Sequence, residues 1–169
     1  MAAKRARAPK RARRRFAIVR ALFNAPVTRA LLDGALRAFV EAGVAPADIT
    51  TIEVPGAFEL PVAALWLARS KRYAAIVALG CVIRGETPHF EYVASEAARG
   101  LGEVALRTGI PVALGVLTTD TLAQAIARAS TAPAPTPAHS GEPASGNKGY
   151  EAAQTALTME MLRATLKRH

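Results

Sequence analysis

Apolar positions along the chain fall into two alternating rhythms, short dense runs and longer stripes at helical spacing. Phe16 to Phe23 reads as a strand, and Asn24-Ala25-Pro26 breaks it. Thr28 stands as the N-cap of a helix to about Ala42, with Leu31, Leu32, Ala35, Leu36 and Phe39 on one stripe and Gly43 ending it. Asp48 to Val54 is a second strand, turned at Pro55-Gly56 into a strongly apolar helix from Phe58 to near Ser70, in which Trp66 reads as packing. Ala74 to Ile83 is a nearly unbroken apolar run, as expected of a parallel strand buried on both faces. A long helix follows from about His89 to Thr108, then a buried strand from Ile110 to Thr118 and a helix from Thr121 to about Arg128. Residues 129–146, mainly Ala, Pro, Thr and Ser, show no periodicity, and Gly149 to Leu166 forms the last amphipathic helix.

Strands that each lead into a helix predict an α/β fold: a three-layer αβα sandwich around a four-stranded parallel sheet, doubly wound and flavodoxin-like. Ligands of such sheets bind beyond the carboxyl ends of the strands. Those ends carry Phe23-Asn24, Val54-Pro55-Gly56, Ile83-Arg84-Gly85-Glu86-Thr87 and Thr118-Thr119-Asp120, so the unusual residues share one rim. At the third strand end, Pro88 suits a first helical turn, and the amides of Gly85, Glu86 and Thr87 are placed to face an anion under the positive end of the helix dipole. His89 lies beside them, and imidazole both takes and gives protons near neutral pH.

Charge and cysteine content change this picture in two places. Eight basic residues and no acid lie between Lys4 and Arg15; without them 14 basic residues face 13 acidic ones, so the basicity reads as a tail and not a face. Residues 1–15 cannot bury enough apolar surface to order themselves and read as a disordered arm, whose functional reading is weak, sequence-blind contact of residues 4–15 with a polyanion. The remainder, 16–169, is expected to be a single domain with an extended loop at 129–146. Cys81 is alone and inside a strand, which excludes a disulfide framework, and no metal site is expected: His139 and His169 lack second ligands at metal spacing. No apolar run reaches membrane-spanning length, about 20 residues, and there is no secretory signal, so a soluble, cytoplasmic protein is expected.

The chain resembles the 6,7-dimethyl-8-ribityllumazine synthase family over about residues 16–128 and 146–166. Five ordered motifs carry the likeness: Phe23-Asn24; Val54-Pro55-Gly56-Ala57-Phe58-Glu59; Gly80 through Phe90; Gly115 through Thr121; and Asn147-Lys148-Gly149-Tyr150-Glu151-Ala152-Ala153. The resemblance implies condensation of 5-amino-6-(D-ribitylamino)uracil with 3,4-dihydroxy-2-butanone 4-phosphate, releasing phosphate and water with no cofactor, in riboflavin biosynthesis. Phe23 matches the aromatic stacked on the pyrimidine; Ala57, Phe58 and Glu59 match the segment holding the ribityl chain; Cys81, Val82 and Ile83 match the strand end whose backbone reads the uracil edge. Glu86 and Thr87 match the phosphate-binding turn, and Arg128 matches a guanidinium that clamps the same phosphate from an adjacent subunit. His89 matches the general acid/base, and Lys148 with Glu151 matches an ion pair near the pyrimidine.

Two departures stand out. Leu114 occupies the position where relatives place an aromatic against the ligand from the neighbouring subunit. The eighteen residues of 129–146 replace a connection of about six, where pentamers of the family meet. The resemblance therefore implies a homopentamer, or a decamer, with the active site between subunits, and not a closed shell of twelve pentamers. Two alternatives remain at this level: an archaeal-type riboflavin synthase, and a non-catalytic flavin- or lumazine-binding scaffold with a polyanion-binding arm.

Overall fold

A computed structural model describes residues 14–130 and 146–166. Most of the basic arm, the interior of the 129–146 connection with His139, and His169 lie outside the described residues. The described chain runs β1 (Phe16–Ala21), α1 (Ala25–Glu41), β2 (Ile49–Val54), α2 (Leu60–Arg69), β3 (Ala75–Ile83), α3 (His89–Thr108), β4 (Val112–Thr119), α4 (Leu122–Ala129) and α5 (Lys148–Leu166). Single 3-10 turns, Pro46–Asp48 and Ala57–Glu59, lead into β2 and α2. All strands pair in parallel in the order β2-β1-β3-β4, which is the expected α/β sandwich.

Strand alternation divides the core into two layers. Phe16 and Ile18 of β1 with Val77 and Leu79 of β3 face α1, α4 and α5, where Leu31 and Phe39 meet them, the rings of Phe16 and Phe39 lying 4.8 Å apart. Ala17 and Val19 with Ile76 and Ala78 face α2 and α3, packing on Leu60, Ala64 and Leu101. The inner strands β1 and β3 are covered on both faces, which explains why they read as dense apolar runs.

α5 docks on α1 through backbone proximity. A Cβ on Gly149 would lie 2.0 Å from the carbonyl oxygen of Leu31, and one on Gly34 would lie 2.1 Å from Oδ1 of Asn147, so neither position admits a side chain. Asn147 is buried at this seam. Its Nδ2 donates to the carbonyls of Ala30, at 2.7 Å, and of Ala129, while its Oδ1 accepts from the amides of Gly149 and Tyr150. One side chain thus starts α5 and joins it to α1 and to the end of α4.

Three expectations need correction. Thr28 is not the N-cap of α1: the helix begins after Asn24, Pro26 lies inside its first turn, and the Thr28 hydroxyl is buried one turn in, accepting from Arg20. Trp66 does not pack in the core of its own chain; it is 66% exposed on α2, one turn from exposed Val62. The basicity is not confined to the arm, because cations of the folded part gather at the amino-terminal ends of the strands.

Candidate active site

The β1–α1 junction places the first site residues. Asn24 holds a left-handed backbone, φ 57°, which asparagine tolerates better than most residues. In that conformation its Nδ2 donates to the carbonyl of Cys81 at 2.9 Å, tying the ends of β1 and β3 together. The preceding Phe23 is left 71% exposed on the rim, an unfavourable position for a ring unless a flat ligand covers it. The amides of Leu22 and Phe23 still bond to the carbonyls of Val54 and Pro55, which fixes the ring relative to β2.

Gly56 to Glu59 forms the next wall. Glu59 Oε2 accepts from the Gly56 amide at 2.9 Å, a capping contact that orients the carboxylate and leaves its other oxygen for a hydroxyl-bearing ligand. Ala57 is buried and Phe58 exposed. At the end of β3, Cys81 and Val82 are buried and Ile83 half-buried. Burial pushes the Cys81 thiol up to about 11, so it is not a nucleophile.

Beyond Ile83 the chain turns into α3, with Pro88 preceding its first residue, His89. Among the described residues the amides of Gly85, Glu86 and Thr87 have no hydrogen-bond partner. Arg84 braces this turn: its guanidinium bonds to Asp120 at 2.7 Å and Glu91 at 3.3 Å and lies 4.6 Å over the Phe90 ring. The Asp120 and Glu91 bonds together hold its proton more firmly than usual. The Arg84 amide bonds to Thr119, so the turn is anchored to β4 by both backbone and side chain.

These elements enclose a groove of about 660 Å³ whose lining includes Phe23, Ala57, Phe58, Glu59, Cys81, Val82, Ile83, Thr87 and His89. Glu86 is exposed and does not line that groove. Leu114, Arg128 and Lys148 are not brought to it. They line a second groove of about 330 Å³ along the open edge of β4, with Glu151 on α5. There Lys148 Nζ pairs with Glu151 at 2.7 Å, Leu114 is exposed, and Arg128 reaches only the Gln124 carbonyl at 3.2 Å. The expected site residues therefore fall into two half-sites on one chain.

Sequence reasoning assigned no role to Arg84, Asn24 or Asn147, although each stands inside a recognised motif. Arg84 was the most accessible of the three, since a lone cation in an anion-binding turn needs acidic partners.

A sequence model of the 6,7-dimethyl-8-ribityllumazine synthase family matches residues 13–164. A protein of Syntrophus aciditrophicus (strain SB) named 6,7-dimethyl-8-ribityllumazine synthase is 48% identical over 150 residues, covering 88% of this chain and 90% of that one. The chain belongs to the 6,7-dimethyl-8-ribityllumazine synthase family, transferases of riboflavin biosynthesis.

Proposed function

We propose that the chain condenses 5-amino-6-(D-ribitylamino)uracil with 3,4-dihydroxy-2-butanone 4-phosphate in the larger groove, and that a second copy completes the site. The observation that carries this reading is the juxtaposition, in one groove, of an exposed aromatic ring, an oriented carboxylate, free amides at a helix start and His89. Phe23 stacks on the pyrimidine, the backbone of Cys81, Val82 and Ile83 reads its edge, and Ala57, Phe58 and Glu59 hold the ribityl chain. The amides of Glu86 and Thr87 hold the phosphate under the α3 dipole.

The amine attacks the ketone carbon to give a carbinolamine, which loses water; phosphate is then eliminated, and the ribityl-bearing nitrogen closes the ring on the second carbonyl with loss of a second water. Each step moves a proton, and His89 at the groove wall serves as the acid/base. Positioning of two substrates contributes as much as proton transfer or more. His89→Ala is therefore expected to lose about 10²–10⁴-fold in rate yet stay above the uncatalysed reaction. The assay mixes both substrates with the protein and follows the fluorescent lumazine. A variant no faster than the buffer blank would refute this division of labour, and no formation by the parent chain, with tight binding of lumazine, would favour the scaffold.

Arg128 and Lys148, from the smaller groove, reach the phosphate and pyrimidine of a neighbouring copy, and Leu114 lies against the ligand. The exposed stripe Phe58, Val62 and Trp66, spaced by four residues on the α2 segment, supports such an assembly, since contiguous exposed apolar patches mark interfaces. The assembly is a homopentamer or decamer of 17.8 kDa chains acting in the cytoplasm. Residues 4–15 make weak polyanion contacts.

A further inference from the structure

A concavity of about 760 Å³ lies on the rim opposite the catalytic groove. It forms where the amino-terminal ends of β1, β3 and β4 meet the carboxyl ends of α2, α3 and α5. Arg14 and Arg15 enter it ahead of β1; Arg69, Lys71 and Arg72 come from the end of α2; Arg107 comes from α3 and Arg163 from α5. Among the described residues no carboxylate lines it.

Cations at helix carboxyl ends have an ordinary explanation, since each such end carries about half a negative charge. Three ends offset about 1.5 charges in total, which is too little here. Of the seven cations, Arg14 pairs with Glu160 at 2.8 Å and Arg107 with Glu103, leaving five without an acidic partner among the described residues. Arg163 donates only to the Ala74 carbonyl, at 3.4 Å, and Arg72 lies 5.7 Å over the Tyr73 ring. Lys71 holds a left-handed backbone, φ 56°, which few residues without a short polar side chain adopt. Glu59, Glu86, Glu91 and Asp120 stand on the catalytic rim, while Glu160 and Glu103, the partners of Arg14 and Arg107, stand toward the basin's end of the molecule.

We infer that this basin binds a chain of phosphates, either linear polyphosphate or the phosphodiester backbone of single-stranded nucleic acid. The chemistry is that of phosphate alone. Tyr73, the only aromatic ring lining the basin, is buried and offers no face for a base to stack on. The open shape and spread of cations over four segments suit an extended multivalent anion better than a single small one. Arg14 and Arg15 of the basic arm line this site with cations from α2, α3 and α5, and it does not depend on the reading of the catalytic rim.

The test is an anisotropy titration with labelled polyphosphate, poly-U and poly-A, using the full chain, the chain lacking residues 1–13, and Arg69→Gln, Lys71→Gln, Arg72→Gln together. With five cations at about 0.7 released counterions each, the arm-deleted chain should show a slope of log affinity against log salt of roughly −3.5. The triple variant should flatten that slope by about two and weaken binding at least tenfold at low salt. Lumazine formation should be unchanged in the triple variant, which shows that it is folded. Binding of polyphosphate but not of either RNA would identify polyphosphate as the source; equal binding of all three would establish any phosphate chain. Loss of all binding on arm deletion would overturn the proposal, as would a triple variant that binds like the parent. A preference beyond about tenfold between poly-U and poly-A would overturn the phosphate-only recognition.

Discussion

Mixing two inactive chains gives the sharpest check on a shared catalytic site, because His89 and Arg128 line different grooves of the same chain. His89→Ala removes the acid/base and leaves the smaller groove intact. Arg128→Ala removes a charge-assisted contact to phosphate, which should cost about ten- to hundredfold, and leaves the larger groove intact. Alone, each variant should run at no more than about a tenth of the parent rate. If every site takes one groove from each of two neighbouring copies, a site is whole when the first copy carries only the Arg128 change and the second only the His89 change. Random assembly of equal amounts makes about one site in four whole in a ring of five, whereas a dimer carrying both tags would have one of its two sites whole. Co-expressed chains with different tags, purified through both tags in turn, should therefore recover roughly a quarter of parent lumazine formation. An activity equal to the mean of the two variants, with mixed oligomers verified by native mass, would show that both groups serve one chain and refute the argument.

Further outcomes follow from two buried groups. At pH 8 the native Cys81 thiol, at about 11 against an ordinary 9.0, should alkylate about a hundredfold more slowly than the unfolded chain. Cys81→Ala should keep the synthase activity, and rapid labelling with loss of turnover would count against a silent thiol. The same shift works against the folded state in alkali: unfolding releases the proton between pH 9 and 11, so stability should fall as pH rises through that window. Asn147→Ala leaves the Ala30 and Ala129 carbonyls unpaired and should cost about 2–4 kcal/mol. Asn147→Asp should be worse, because an acceptor then faces both carbonyls; a thermal midpoint for the Asp variant equal to the parent's would sink the seam argument.

The sheet was legible because β1 and β3 are covered on both faces, so their runs needed no periodicity to be recognised. Helix starts were less so. Pro26 reads as a breaker, yet a first turn tolerates proline, and the true start is the left-handed Asn24, a conformation that no local pattern announces. Trp66 misled for a different reason. The α2 sequence is apolar all round, which in one chain reads as complete burial, whereas this fold covers a single face of it. The site residues were legible one motif at a time. The resemblance implied that Arg128 and Leu114 act from an adjacent subunit, and both line a groove apart from His89 because β4 lies at the sheet edge with Leu114 exposed.

The two rims of the molecule follow from one constraint of parallel βα winding. Every helix between parallel strands runs back against them, so helix starts gather at the carboxyl ends of the strands and helix ends at the other rim. The first rim thereby gains the free amides of Gly85, Glu86 and Thr87, while no Lys or Arg among the described residues lines the larger groove. On the proposed reading a phosphate there would meet partial positive charge only, and a full cation would have to come from elsewhere, the part assigned to Arg128. The second rim attracts cations by the same dipole logic, but the five with no acidic partner among the described residues exceed what three helix ends balance. Such a surplus repels itself and destabilises the compact state unless an anion neutralises it. Thermal stability of the arm-deleted chain should therefore rise with added polyphosphate in the millimolar range, and the rise should vanish when Arg69, Lys71 and Arg72 are neutralised. An equal rise in that triple variant would place the anion elsewhere and remove the physical reason for the basin.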